Sequence, residues 1–203
     1  MNKRLVLKIS LCAVAAALFL SVVRGAEFLL IAAAAAALHE AGHIAAAKAL
    51  GVPCVRMSGA FFGLSIRCDF SSVSFLKEAL VCSAGAAANV AACALTLLIV
   101  KDPGTYSVFF IFSNVSLALF NLMPISPLDG AGILKALLSM IASYRTAERI
   151  ASWISAAFSV AFFCFCVYVQ LKIGANLSLL FISVYLLYNA AGNIRAASYE
   201  KEP

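Results

Sequence analysis

The stretch His39-Glu40-Ala41-Gly42-His43 combines residue types and a spacing that can hold and use a metal ion. Histidines four apart on a helix project from one face about one turn apart, so both imidazoles can reach a single ion. A glutamate directly after the first histidine lies beside that ion, placed to take a proton from a water the ion polarises. These are the chain's 2 histidines. They follow the apolar run from Phe28 to Leu38 and precede Ile44-Ala-Ala-Ala47. An ionisable side chain at the centre of such a helix in lipid costs about 3 kcal/mol, so it defaults to a functional role.

A catalytic zinc site normally has three protein ligands and one open position. With no third histidine, the missing ligand should be a carboxylate, and the chain has 9. Asp69, Glu78, Asp102, Glu148, Glu200 and Glu202 fall in loops or at predicted helix ends. Glu40 is needed as the base, and Glu27 lies about three turns from His39. Asp129 remains, beside a helix break at membrane depth, where irregular backbone survives only if it is buried or lines a wet cavity. The competing reading makes Asp129 an ordinary N-cap for a helix over Ile133–Ile141.

The elements that must position these residues are membrane helices. Of 203 residues, 64% are hydrophobic and 12% charged, with a mean hydropathy of +1.02. Soluble domains average about 45–50% apolar and 25% charged. The expectation is an all-α polytopic membrane protein of about six spans, leaving no length for a soluble sensing module. The net charge of +6 comes from basic residues scattered singly between apolar runs, which argues against nucleic-acid binding. The 7 cysteines show no Cys-x-x-Cys spacing and read as small packing residues. Cys54 and Cys68 flank one loop and could approach each other, reduced if that loop is cytoplasmic.

In order, Met1–Val23 reads as a retained first helix rather than a cleaved signal peptide, because Arg24 occupies the expected cleavage region. A second helix over Glu27–Leu50 stops at Gly51-Val52-Pro53, and its alanines should place it centrally among the others. Between helices 2 and 3, Val52–Phe70 alternates with a period of two, which predicts a membrane-associated β-hairpin with aromatics at its tip. Further helices are expected over Phe75–Val100, Tyr106–Leu122, Ile133–Ile141, Ala151–Leu171 and Ala175–Ile194. Asn89, among small residues of the third span, should face the bundle interior and hydrogen-bond across helices. The whole of 1–203 reads as a single domain, with a core over 27–130 and C-terminal helices over 150–195. With the N-terminus inside, 12 of the 15 basic residues lie on the inner side; only Arg24, Lys101 and Lys172 lie outside. Both termini, the hairpin and the Pro-rich break are then cytoplasmic.

His-Glu-x-x-His in one span and Asn121-Leu-Met-Pro-Ile-Ser-Pro-Leu-Asp-Gly130 in a later one resemble the site-2 protease family of intramembrane zinc metalloproteases. The resemblance covers roughly His39 to Gly130. It implies His39, His43 and Asp129 as ligands of one zinc ion per chain and Glu40 as catalytic base. Asn121 then looks like a substrate- or oxyanion-contacting residue. Asn89 is a weaker match for such a role, because the family's Gly-Pro-x-x-Asn reads Gly85-Ala86-x-x-Asn89 here. The compact layout resembles the bacterial branch that includes the sporulation protease processing a membrane-tethered sigma-factor precursor. The partners implied are a membrane-tethered protein substrate and the bilayer, with room for regulatory membrane proteins or a homo-oligomer. A zinc-binding scaffold and a metal transporter are the alternatives. A transporter would line a path with repeated ligands, and a scaffold would not need Glu40.

Overall fold

The computed structural model describes residues 26–56, 66–68, 70, 73–173 and 177–199. Six helices and two short strands occur among them: α1 (Ala26–Ala49), β1 (Cys54–Arg56), β2 (Ile66–Cys68), α2 (Phe75–Ile99), α3 (Thr105–Asn121), α4 (Asp129–Ile141), α5 (Tyr144–Ile173) and α6 (Leu177–Tyr199). Three stretches are long and apolar enough to cross a membrane: Glu27–Ala49, Phe75–Ile99 and Tyr144–Lys172. Thr105–Asn121 is a shorter apolar helix. Exposed leucines, valines and phenylalanines along these helices, such as Leu98, Phe112 and Leu171, are the expected surface of a protein solvated by lipid. The expected first helix, Met1–Val23, lies outside the described residues.

The chain divides into two compact units. One comprises Met1–Val73 with Ala84–Phe120, the other Ser74–Ser83 with Asn121–Pro203. The division falls at Phe120–Asn121, inside the stretch expected as one core. The first turns of α2 group with the C-terminal helices, and the rest of α2 with α1 and α3.

In the first unit, α1 buries one stripe. Ala35, His39 and Ala47 are buried and His43 is half-buried, at spacings of four. Ala33, Ala34, Ala36 and Ala37 are exposed. Among the described residues, α1 is therefore packed along one face rather than surrounded as expected. Its end is a Schellman cap: Gly51 takes φ 65°, its N–H bonds to Lys48 O, and Val52 N–H donates to Ala47 O at 2.8 Å. At the opposite end Phe28 stacks edge-on to Phe109 at 4.8 Å, tying α1 to α3. After the cap, β1 and β2 pair antiparallel, with Cys54 opposite Cys68, Val55 opposite Arg67 and Arg56 opposite Ile66. The proposed aromatic tip between them lies outside the described residues.

In the second unit, the Pro-rich segment after α3 is held by its backbone. Leu128 N–H donates to Ile125 O at 2.7 Å, Ile125 is wholly buried, and Ser126 N–H donates to Ser155 Oγ of α5 at 2.8 Å. Helix α4 begins at Asp129, with Leu128 as a cap that makes no side-chain hydrogen bond. It thus starts four residues before the expected Ile133, which puts Asp129 in the first turn, where the helix dipole favours a negative charge. Helix α5 likewise starts early. It begins at Tyr144 rather than the expected Ala151, and the polar Ser143–Arg149 supplies its cap and first turns, with Thr146 N–H donating to Ser143 Oγ at 3.3 Å.

Candidate metal centre

His39 and His43 belong to the first unit, and Asn121 and Asp129 to the second. In the first, the α-helical spacing of α1 brings the imidazoles together. Their Nε2 atoms lie 3.2 Å apart and the rings meet edge to face at 4.8 Å between centroids. One shared proton or one shared ion fits between such atoms. Zn–N bonds of about 2.0–2.1 Å at a tetrahedral angle separate two ligand nitrogens by roughly 3.4 Å, so the pair suits a single ion.

Helix α2 makes room for the rings. A Cβ at Gly85 would overlap His43 Nε2 and lie 2.7 Å from His39 Nε2 and Cε1. A Cβ at Gly42 would meet Ala84 O and the Ala88 Cβ, so the same crossing needs a small residue on α1 as well. One turn beyond Gly85, Asn89 is fully buried, and its Oδ1 lies 2.6 Å from His39 Nδ1. Its Nδ2 donates to Ala35 O at 3.0 Å and to Asn114 Oδ1 at 2.7 Å. Both amide hydrogens are thereby used. The Asn89 amide links α1 and α3 and faces the His39 ring. Glu40, next in sequence to His39, is exposed. That suits a group that must exchange protons.

In the second unit, Asn121 ends α3 and Asp129 opens α4; both are half-buried. A Cβ at Gly130 would overlap Leu122 O and Met123 O. The absence of a side chain there lets the first turn of α4 press against the backbone that follows Asn121. The Pro-rich segment therefore doubles back onto its own start at Leu122–Met123 within a few residues, carrying Asp129 in the first turn of α4. Nearby, Lys135 Nζ lies 3.8 Å from Glu78 Oε1 and donates to Tyr144 Oη at 3.4 Å. Burial works against the Lys135 charge, but Tyr144, Glu78 and Glu148 outweigh it and hold the ammonium pKa above its usual value.

Asn114 and Ser155 drew no attention in the sequence, and Gly85 entered only as the first residue of the motif around Asn89. Asn114 had one signal: it is an amide inside an apolar helix, two turns before Asn121 on the same face.

The structure as a whole is similar to that of the Site-2 Protease from Methanocaldococcus jannaschii. The TM-score is 0.62 at 20% sequence identity, and the match covers 92% of this chain and 88% of that one. Residues 100–166 match the family model for Peptidase family M50. The chain shares the fold of that protease, and its residues 100–166 resemble Peptidase family M50. Comparison with curated protein sequences gives no match. The M50 segment includes Asn121 and Asp129 and excludes His39–His43. The family recognised from the paired motifs thus finds support in a region that contains only one of them.

Proposed function

We propose that this protein is an intramembrane zinc metalloprotease that hydrolyses peptide bonds of membrane-tethered proteins. The observation that carries the reading is the pair of Nε2 atoms 3.2 Å apart on an apolar helix, with the His39 ring anchored from behind by Asn89. His39 and His43 would be the imidazole ligands of such an ion, with Asp129 as the expected carboxylate ligand. Two imidazoles and a carboxylate are the donor set of many catalytic zinc sites. The fold and the M50 segment support the same class.

Zinc held there supplies Lewis acidity and a nucleophile at neutral pH. Glu40 accepts a proton from the attacking water and returns it to the leaving amine. Asn121 donates a hydrogen bond to the carbonyl oxygen as it gains charge. A helical substrate hides its carbonyls in its own hydrogen bonds and must first unwind. The outer edge of the β1–β2 pair offers backbone groups to which the opened segment can add as a strand. The proposed layout has six spans in a bacterial cytoplasmic membrane, with both termini and the active site towards the cytoplasm. The proposed substrates include tethered sigma-factor precursors of the sporulation type.

The test is co-expression of candidate tethered transcription factors with wild type and with Glu40→Gln. Wild type should release the soluble fragment, and Glu40→Gln should release about 10²–10⁴-fold less. Equal release by both would remove Glu40 from the chemistry.

A further inference from the structure

The hydrogen bonds around His39 form a directed chain that starts on α3. Asn114 is wholly buried. Its Nδ2 donates to Phe110 O at 2.9 Å. A backbone carbonyl can only accept, so this bond fixes the amide, leaving Asn114 Oδ1 to accept from Asn89 Nδ2 at 2.7 Å. The second carbonyl, Ala35 O, takes the other Asn89 hydrogen at 3.0 Å. Two acceptor-only groups, one on α3 and one on α1, therefore allow a single orientation for both amides. Rotating the Asn89 amide by half a turn would set its Oδ1 against Ala35 O and Asn114 Oδ1, oxygen against oxygen in a dry interior. Asn89 Oδ1 consequently faces His39 Nδ1 as an acceptor, 2.6 Å away, and that nitrogen must carry the proton. A neutral imidazole protonated at Nδ1 has its lone pair on Nε2, the atom 3.2 Å from His43 Nε2.

We propose that Asn114 is a positioning residue that, through Asn89, locks His39 in the Nδ1–H tautomer with Nε2 presented as a metal ligand. Asn114 touches neither imidazole. Its effect is to engage the Asn89 hydrogen that Ala35 O leaves over. Without that acceptor, the buried N–H of Asn89 is orphaned and the amide is held at one point instead of two. Metal-ligating histidines commonly donate their second nitrogen to a carbonyl oxygen, and losing that partner typically costs 10–100-fold in metal affinity. Here the partner is an asparagine amide, which could flip, so it needs a second residue to hold its direction. The proposal rests on the metalloprotease reading, and the test separates the two.

The chain's 2 histidines make ¹⁵N-histidine labelling simple to read, since only two imidazoles contribute. The full chain in detergent, freed of metal, should show at one fixed pH a ring of the Nδ1–H form that disappears in His39→Ala. Asn114→Leu, close in volume but without an acceptor, should convert that signal to a mixture of tautomers and weaken zinc binding about tenfold in chelator competition. Asn189→Leu is the control. Asn189 is also buried on a helix and also donates to the carbonyl four residues back, Tyr185 O at 2.7 Å, but its amide bonds are not connected to His39. It should lose comparable thermal stability while keeping wild-type tautomer and zinc affinity. Asn114→Ser should recover part of both readouts, because its hydroxyl can donate to Phe110 O and still accept. An unchanged tautomer and zinc affinity in Asn114→Leu, with stability alone reduced, would overturn the positioning role. If wild type binds no zinc while its tautomer still depends on Asn114, the metal reading fails and the relay stands.

Discussion

At the scale of single residues, the imidazole pair depends on a space as well as on two histidines. Gly85 supplies it, since any Cβ there would overlap both rings. Gly85→Ala should therefore cost about 1–3 kcal/mol through overpacking and also weaken zinc binding. Ala86→Gly, one residue on and buried, should cost about 1 kcal/mol from helix propensity with zinc affinity unchanged. Thermal unfolding beside chelator competition separates the two, and equal zinc affinity in both variants would deny Gly85 its role. His39, Glu40 and His43 were legible in the sequence because polar groups in an apolar helix demand an explanation. Asp129 was legible by elimination among 9 acids. Gly85 and Asn114 were not. Their meaning lies in which side chain they meet on another helix, and Asn89 is 50 residues from His39 and 25 from Asn114. Periodicity reports which face is apolar and says nothing of a partner that distant.

At the scale of elements, hydropathy located the apolar helices and misjudged polar beginnings. Helices α4 and α5 start at Asp129 and Tyr144, before the expected Ile133 and Ala151, because hydropathy does not distinguish a polar helical turn from a polar loop. The Lys135 cluster belongs to this scale, since it links the first turn of α2 to α4 and to the start of α5. Because the Lys135 pKa is raised in the folded protein, its contribution to stability is complete below the ordinary lysine value of about 10.4. That contribution is lost as pH rises through the raised value. Lys135→Met should therefore unfold at lower temperature than wild type at pH 8, with the gap narrowing by pH 11. A gap independent of pH would show that packing of the aliphatic stem, not charge, matters there. The strands carry a separate prediction. Ile66→Pro removes a backbone donor from β2 and fixes φ, so strand pairing should suffer while zinc is retained. Cleavage should slow markedly in Ile66→Pro and stay near wild type in Ile66→Val. Equal cleavage by both would end the strand-addition idea.

At the scale of the whole molecule, the basic residues argue for one orientation, with 12 of 15 on the proposed inner side. Reporter fusions at Ser74 and Thr146 should read as cytoplasmic and one at Gly104 as external. An external signal at Ser74 would invert the layout and move the active site to the other face. The central claim of the proposed function is that His39, His43 and Asp129 are the ligands of one zinc ion, and metal analysis of purified protein tests it most directly. Wild type and Glu40→Gln should each hold about one zinc per chain, whereas His39→Ala, His43→Ala and Asp129→Ala should each lose it while remaining folded. Full zinc occupancy in Asp129→Ala, or none in folded wild type, would contradict the account.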